Sequence, residues 1–238
     1  MPLRICILQT DILSPELIEQ YHSYGQMFAQ LFAQQPLAVA VDIYNVIEGH
    51  YPPAEQHFAA YLVTGSKADA FGTEAWIETL RRYLLQRHQQ GDKLLGICFG
   101  HQLLALLLGG HCERAKQGWG LGVQRYQLLA QAAWMNPPCN ELSLLASHQD
   151  QVTRLPAGAT LLASSGFCPI AAYSIGQQVL CFQGHPEFVP EYAQALLNMR
   201  QSNFDAERYQ QAIDSLRAPH QGIMTAQWML RFVAQTAA

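Results

Sequence analysis

Short apolar runs alternate with stretches of helical spacing along most of the chain. Arg4–Leu8, Leu37–Val46, Ala60–Thr64 and Lys93–Ile97 have the length and apolar character of buried strands. Between the first two, Leu17, Tyr21, Tyr24, Phe28 and Leu31 recur at near-helical spacing behind Ser14-Pro15, a cap followed by a first-turn proline. Gly25 weakens the middle of that helix and moves its expected start toward Tyr24. Trp76, Ile77, Leu80, Tyr83 and Leu84 mark a second helix, with Thr73 as the expected cap and Gly91 as the stop. Leu103–Leu108 predicts an apolar helix ending at Gly109-Gly110. From Leu121 to Leu162 the periodicity fades, which predicts short strands and loops with turns at Pro137-Pro138 and at Pro156 to Gly158. Ala171–Ile175 and Gln178–Phe182 predict a hairpin across Gly176-Gln177. The tail from Val189 to Val233 reads as helical, with one break at Pro219. Strands alternating with helices predict an α/β fold: a mostly parallel central sheet with helices on both faces. No repeat, linker or low-complexity tract interrupts the pattern, so one domain is expected over residues 1–238.

Composition narrows the class. Half of the 238 residues are hydrophobic and 13% are charged, which excludes intrinsic disorder. A net charge of -4 lacks the basic excess of a dedicated nucleic-acid binder. No apolar run approaches the roughly 20 residues of a membrane helix. Ile5–Leu8 is too short for the apolar region of a secretory signal, so a cytoplasmic location is expected. The six cysteines are irregularly spaced without a Cys-x-x-Cys, which argues against both a disulfide framework and a zinc site.

One cysteine stands apart. In Leu94-Leu95-Gly96-Ile97-Cys98-Phe99-Gly100-His101-Gln102 an apolar strand enters Gly-x-Cys-x-Gly and leaves as an apolar helix. This is the cysteine counterpart of a nucleophile elbow. The chain must reverse tightly, and side chains at positions 96 and 100 would collide. Cys98 is then held in a strained conformation at the strand's carboxyl end and at a helix N-terminus, whose partial positive charge favours a thiolate. The free N–H of Phe99 is available to an oxyanion. The competing reading is a buried small cysteine beside two turn glycines, but strand, spacing and helix all agree with the elbow.

A thiolate needs a base, and the base needs an orienting group. Phe182-Gln183-Gly184-His185-Pro186-Glu187-Phe188 offers both in His185 and Glu187. Taken alone, the His-Pro-Glu segment is also compatible with a core histidine, or with half of a metal site that lacks a third ligand at suitable spacing. Gly65, which closes the Ala60–Thr64 strand, is either an ordinary turn or a second backbone donor at the ligand-binding end of the sheet. Ser147-His148-Gln149-Asp150-Gln151-Val152 reads as a substrate-contacting loop or a polar turn. His148 and Asp150 are too close in sequence to bond as a triad pair. His101 reads as structural.

On these residues the chain resembles the class I glutamine amidotransferases, whose triad is Cys-His-Glu. Gly96-Ile-Cys98-Phe-Gly100-His-Gln102 and Gln183-Gly-His185-Pro-Glu187 carry the likeness. Val63-Thr64-Gly65-Ser66, Gly109-Gly110, Gly118-Trp119-Gly120 and Ser147–Val152 follow in the family's order. Within the family it is similar to stand-alone members like the amidotransferase half of GMP synthetase. The resemblance implies a flavodoxin-like fold, with Cys98 as nucleophile, His185 as acid/base and Glu187 as its orienter. It implies an oxyanion hole from the N–H groups of Gly65 and Phe99, and substrate contacts from Gln102, Ser147, His148 and Gln149. It implies no cofactor and no metal. The implied substrate is glutamine, giving glutamate and ammonia through a γ-glutamyl thioester. The alternatives are a γ-glutamyl peptidase or hydrolase using the same triad, and a non-enzymatic reactive-cysteine protein. The sequence has no Gly-rich phosphate loop and no length for a synthetase, so either a separate ammonia-accepting synthetase is the protein partner or ammonia transfer is not the reaction.

Overall fold

The computed structural model describes residues 2–235. The strands are β1 (Leu3–Gln9), β2 (Val39–Asn45), β3 (Ala60–Val63), β4 (Leu94–Ile97), β5 (His111–Arg114), β6 (Gly120–Leu128), β7 (Glu141–His148), β8 (Asp150–Arg154), β9 (Ala159–Ser164), β10 (Ala172–Ile175) and β11 (Val179–Phe182). The α-helices are α1 (Pro15–Tyr21), α2 (Tyr24–Ala33), α3 (Ala75–Gln89), α4 (Phe99–Leu107), α5 (Pro190–Met199), α6 (Ala206–Ser215) and α7 (Gly222–Ala234).

Nine strands make one sheet in the order β2-β1-β3-β4-β11-β10-β9-β6-β7, and β5 pairs with β8 apart from it. The first five of that order run parallel. The remaining four extend the sheet antiparallel, beginning with the β10–β11 hairpin. Alternate residues of β1 face opposite layers. Ile5 and Ile7 pack with Leu62, Leu95 and Ile97 under Phe28 and Phe32 of α2 and Trp228 and Phe232 of α7. Cys6 and Leu8 pack with Tyr61 and Val63 against Leu80 and Leu84 of α3 and Leu103 and Leu104 of α4. Burial on both faces is why these strands appear in the sequence as unbroken apolar runs.

Several expected elements differ. The helix expected from Ser14 is two helices. α1 stops at Tyr21, His22 takes φ 59°, and the Ser23 side chain caps α2 by accepting from the Gln26 N–H. Gly25 lies inside α2, where a Cβ would come within 2.6 Å of Ile43 Cγ2. Its role is close helix–sheet approach, not helix interruption. The residue before α3 is Glu74, not Thr73. The stretch with fading periodicity holds long regular strands: β6 has nine residues and β7 eight, paired from Gly120↔His148 to Gln127↔Glu141. β7 is buried at almost every position, which erases the alternation that would have marked it. Ser147–Val152 is not a loop. It is the end of β7 and the start of β8, with Gln149 between them. The tail breaks twice, once near Pro219 and once before α6, where Asp205 accepts from the Arg208 N–H. Among the described residues no helix is long and apolar enough to cross a membrane.

Candidate active site

Neighbouring strands β3, β4 and β11 deliver their carboxyl ends to one place. Cys98 follows β4 directly, in left-handed backbone at φ 50° and ψ -98°, and α4 begins at the next residue. Such a conformation costs a non-glycine residue about 1–3 kcal/mol and persists only where the surroundings enforce it. Here they do. The Cys98 N–H donates to the Phe182 carbonyl at 2.9 Å, and the Gly100 N–H donates to the Thr64 carbonyl at 3.2 Å, tying the turn to both flanking strands. A Cβ on Gly96 would lie 2.6 Å from the Gly100 carbonyl oxygen, and one on Gly100 would overlap the Val63 carbonyl. Both glycines are therefore demanded by close packing.

His185 follows β11. Its N–H donates to the Leu145 carbonyl at 2.8 Å, which fastens it to β7. Its Nδ1 lies 2.7 Å from Glu187 Oε1, and its ring stacks on Phe188 with centroids 3.8 Å apart. Burial alone would push the imidazole down. The Glu187 carboxylate and the neighbouring Cys98 sulfur, with hydrogen bonds to both, outweigh it and raise His185 to about 10. The imidazole therefore holds its second proton at neutral pH. Gly65 sits against this ring: a Cβ there would come 2.6 Å from His185 Cε1. The N–H groups of Gly65 and Phe99 have no partner among the described residues.

Cys98 and His185 line a cavity of about 260 Å³, together with Gln102, Ser147, His148 and Gln149. The Gln102 amide donates to the Asp150 carbonyl at 2.8 Å and to Gln183 Oε1 at 3.1 Å, so its nitrogen is held by the protein. Ser147 Oγ accepts from Arg200 at 3.0 Å. His148 donates through Nδ1 to the Asp150 carbonyl at 3.2 Å, and burial pushes it down to about 4, leaving a neutral ring in the wall. His101 is fully buried, lowered to about 3 by that burial, and packed on Tyr173. The remaining thiols, of Cys6, Cys112, Cys139, Cys168 and Cys181, are all pushed up, chiefly by burial.

The model of the family "Glutamine amidotransferase class-I" matches residues 16–200. This chain belongs to the class-I glutamine amidotransferases. Among curated proteins of this family it is 32% identical over 192 residues to γ-glutamyl peptidase 3 of Arabidopsis thaliana, covering 76% of each chain. It is 35% identical over 170 residues to a glutamine-hydrolysing GMP synthase of Syntrophomonas wolfei, covering 69% of this chain and 32% of that one. The fold matches the crystal structure of a glutamine amidotransferase from Thermotoga maritima with a TM-score of 0.79, at 16% identity over 99% of this chain and all of that one.

This class-I amidotransferase also places in its cavity Tyr24, Lys67, Asp69, Arg114 and Arg200, which sequence reasoning did not single out, and Asp150, which it set aside as a triad partner of His148. Arg114 bridges Asp69 at 2.9 Å and Asp150 at 3.2 Å. Burial and the neighbouring Asp69 raise Asp150 to about 6, against the pull of Arg114. These side chains come from α2, β5, β8, the end of α5 and the loop after β3, and no local motif joins them. Ser66, Trp119 and Phe188, which also line the cavity, fall in or beside segments that carried a sequence signal.

Proposed function

We propose that this protein hydrolyses the γ-glutamyl amide bond through a thioester on Cys98, within one domain that spans residues 1–238. One observation carries the reading: Cys98 is held in strained backbone on a cavity wall that it shares with an imidazole bonded to a buried carboxylate. The Cys98 thiolate attacks the γ-carbonyl carbon of the substrate. The N–H groups of Phe99 and Gly65 receive the oxyanion. His185, steadied by Glu187, gives its proton to the departing nitrogen as the C–N bond breaks, leaving the γ-glutamyl thioester. Water then loses a proton to His185 and adds to the thioester carbon. Glutamate departs, and thiolate and imidazolium are restored. Gln102 and the Ser147–Gln149 segment hold the glutamyl group. No cofactor enters any step, and the cytoplasm suits a reduced thiol.

With glutamine as substrate the departing nitrogen is ammonia, and a separate synthetase would consume it. The similarity to the S. wolfei GMP synthase supports that reading. With a γ-glutamyl peptide the departing nitrogen is an amine. The 32% identity to an A. thaliana γ-glutamyl peptidase over three quarters of both chains favours this second reading. The test is glutamate release from glutamine and from γ-glutamyl peptides, with mass spectrometry of acid-quenched protein for an adduct on Cys98. Glutamate release that persists in Cys98→Ala overturns the proposal.

A further inference from the structure

A second cavity of about 670 Å³ adjoins the catalytic one and shares four of its residues: Tyr24, Lys67, Leu196 and Arg200. It runs between α1 and α5 over Leu13, Leu17 and Ile18. Of the eight large apolar side chains that are exposed among the described residues, three line this groove: Ile12, Ile18 and Met199. An apolar groove of this volume falls in the range of about 300–1,000 Å³ typical of small-molecule sites.

Its position relative to the chemistry fixes which part of a substrate it faces. The departing nitrogen must take the proton from His185, so the leaving group exits on the imidazole side. Tyr24 lies on that side, its ring 6.4 Å from the His185 ring, and it lines both cavities. Gln102, Gln149 and Asp150 line the catalytic cavity alone. At the junction stand two cations. Lys67 is paired with Asp11 at 3.3 Å. Arg200 has no carboxylate partner among the described residues; it bonds Ser147 and lies over the Trp119 ring at 5.6 Å. A guanidinium without an anion, at the mouth of an apolar groove, complements a carboxylate attached to an apolar body.

We infer that the groove is a leaving-group subsite for an amino acid with a bulky apolar side chain. That side chain lies along Ile12, Ile18 and Met199, and its carboxylate meets Arg200. The inference rests on the proposed chemistry at Cys98 and names the substrate class: γ-glutamyl dipeptides and their longer apolar conjugates, in preference to glutamine.

The test measures kcat/KM for γ-glutamylphenylalanine, γ-glutamylglycine, γ-glutamylphenethylamide and glutamine. The intact protein is expected to prefer γ-glutamylphenylalanine to each of the others at least tenfold. In Ile18→Glu and in Met199→Glu, both at exposed positions that tolerate charge, the phenylalanine-to-glycine ratio is expected to fall at least tenfold. In Arg200→Gln the preference for γ-glutamylphenylalanine over γ-glutamylphenethylamide is expected to disappear. Ile223→Glu on α7 is the control for added surface charge and leaves every ratio unchanged. Equal turnover of the four substrates by the intact protein overturns the subsite and leaves the groove to a protein neighbour. An Arg200→Gln variant that loses glutamine and peptide turnover in equal proportion puts the guanidinium on the glutamyl carboxylate and overturns its assignment here. Absence of turnover on all four substrates removes the underlying reading, and this inference with it.

Discussion

The parallel and antiparallel halves of the sheet contribute to the cavity in different ways. The parallel half supplies Cys98, His185 and the Gly65 N–H from the ends of three adjacent strands, over a core with no tolerance for an added methyl at Gly96 or Gly100. The antiparallel half supplies Ser147, and the separate β5–β8 pair and the end of α5 beside it supply Arg114, Asp150 and Arg200, joined by hydrogen bonds and ion pairs. In the proposed reaction the first region fixes the reacting atoms, and the second shapes what they meet. Changes in the first should therefore act on kcat, and changes in the second on KM and on choice of substrate.

Four substitutions probe that division, the largest effect first. Cys98→Ala should lower glutamate release by at least about 10⁴-fold, with thermal unfolding little changed, because the nucleophile acts as a unit with its base. Glu187→Gln should lower kcat by about 10²–10⁴-fold. It should also move the alkaline limb of the kcat/KM profile. In the intact protein that limb is expected near 10, where His185 would lose the proton it donates. With the Glu187 charge removed the imidazolium is less favoured, so the fall begins at lower pH; an unmoved limb would show that the carboxylate does not act on His185. Gly65→Ala drives a methyl against the imidazole and should cost about 10²–10³ in kcat, the scale of a lost oxyanion donor. Ser147→Ala in the second region should raise KM by about three- to tenfold and spare kcat, as for an interaction made equally in ground and transition states. A kcat loss there as large as that of Gly65→Ala would erase the distinction between the two halves.

Legibility in the sequence follows the same division. β1, β3 and β4 are plain in the sequence because buried parallel strands are short continuous apolar runs, and the β10–β11 hairpin because a Gly176-Gln177 turn separates two such runs. The elbow is plain because its constraint is local: two glycines, a strand and a helix within nine residues. His185 and Glu187 are joined by one intervening proline, so their partnership was also within local reach. β7 was hidden because burial on both faces removed its alternation. The break between α1 and α2 fell at His22, not at Gly25, because packing on Ile43 demanded a glycine inside the second helix. The Ser147–Val152 segment gave its residues but not its form, since strand pairing with β6 and β5 is a long-range property.

Sequence alone determined the family and the parallel α/β frame, and it singled out Cys98 as the proposed nucleophile, because each is written in residues a few positions apart whose sterics admit few conformations. Tertiary structure alone decided that His185 and its carboxylate share a cavity with that cysteine, that the Glu187 carboxylate holds the imidazole's proton against burial, and that α1 and α5 leave an apolar groove against that cavity. Those facts depend on distances between segments far apart in the chain, and only the packing of the sheet and its helices sets such distances.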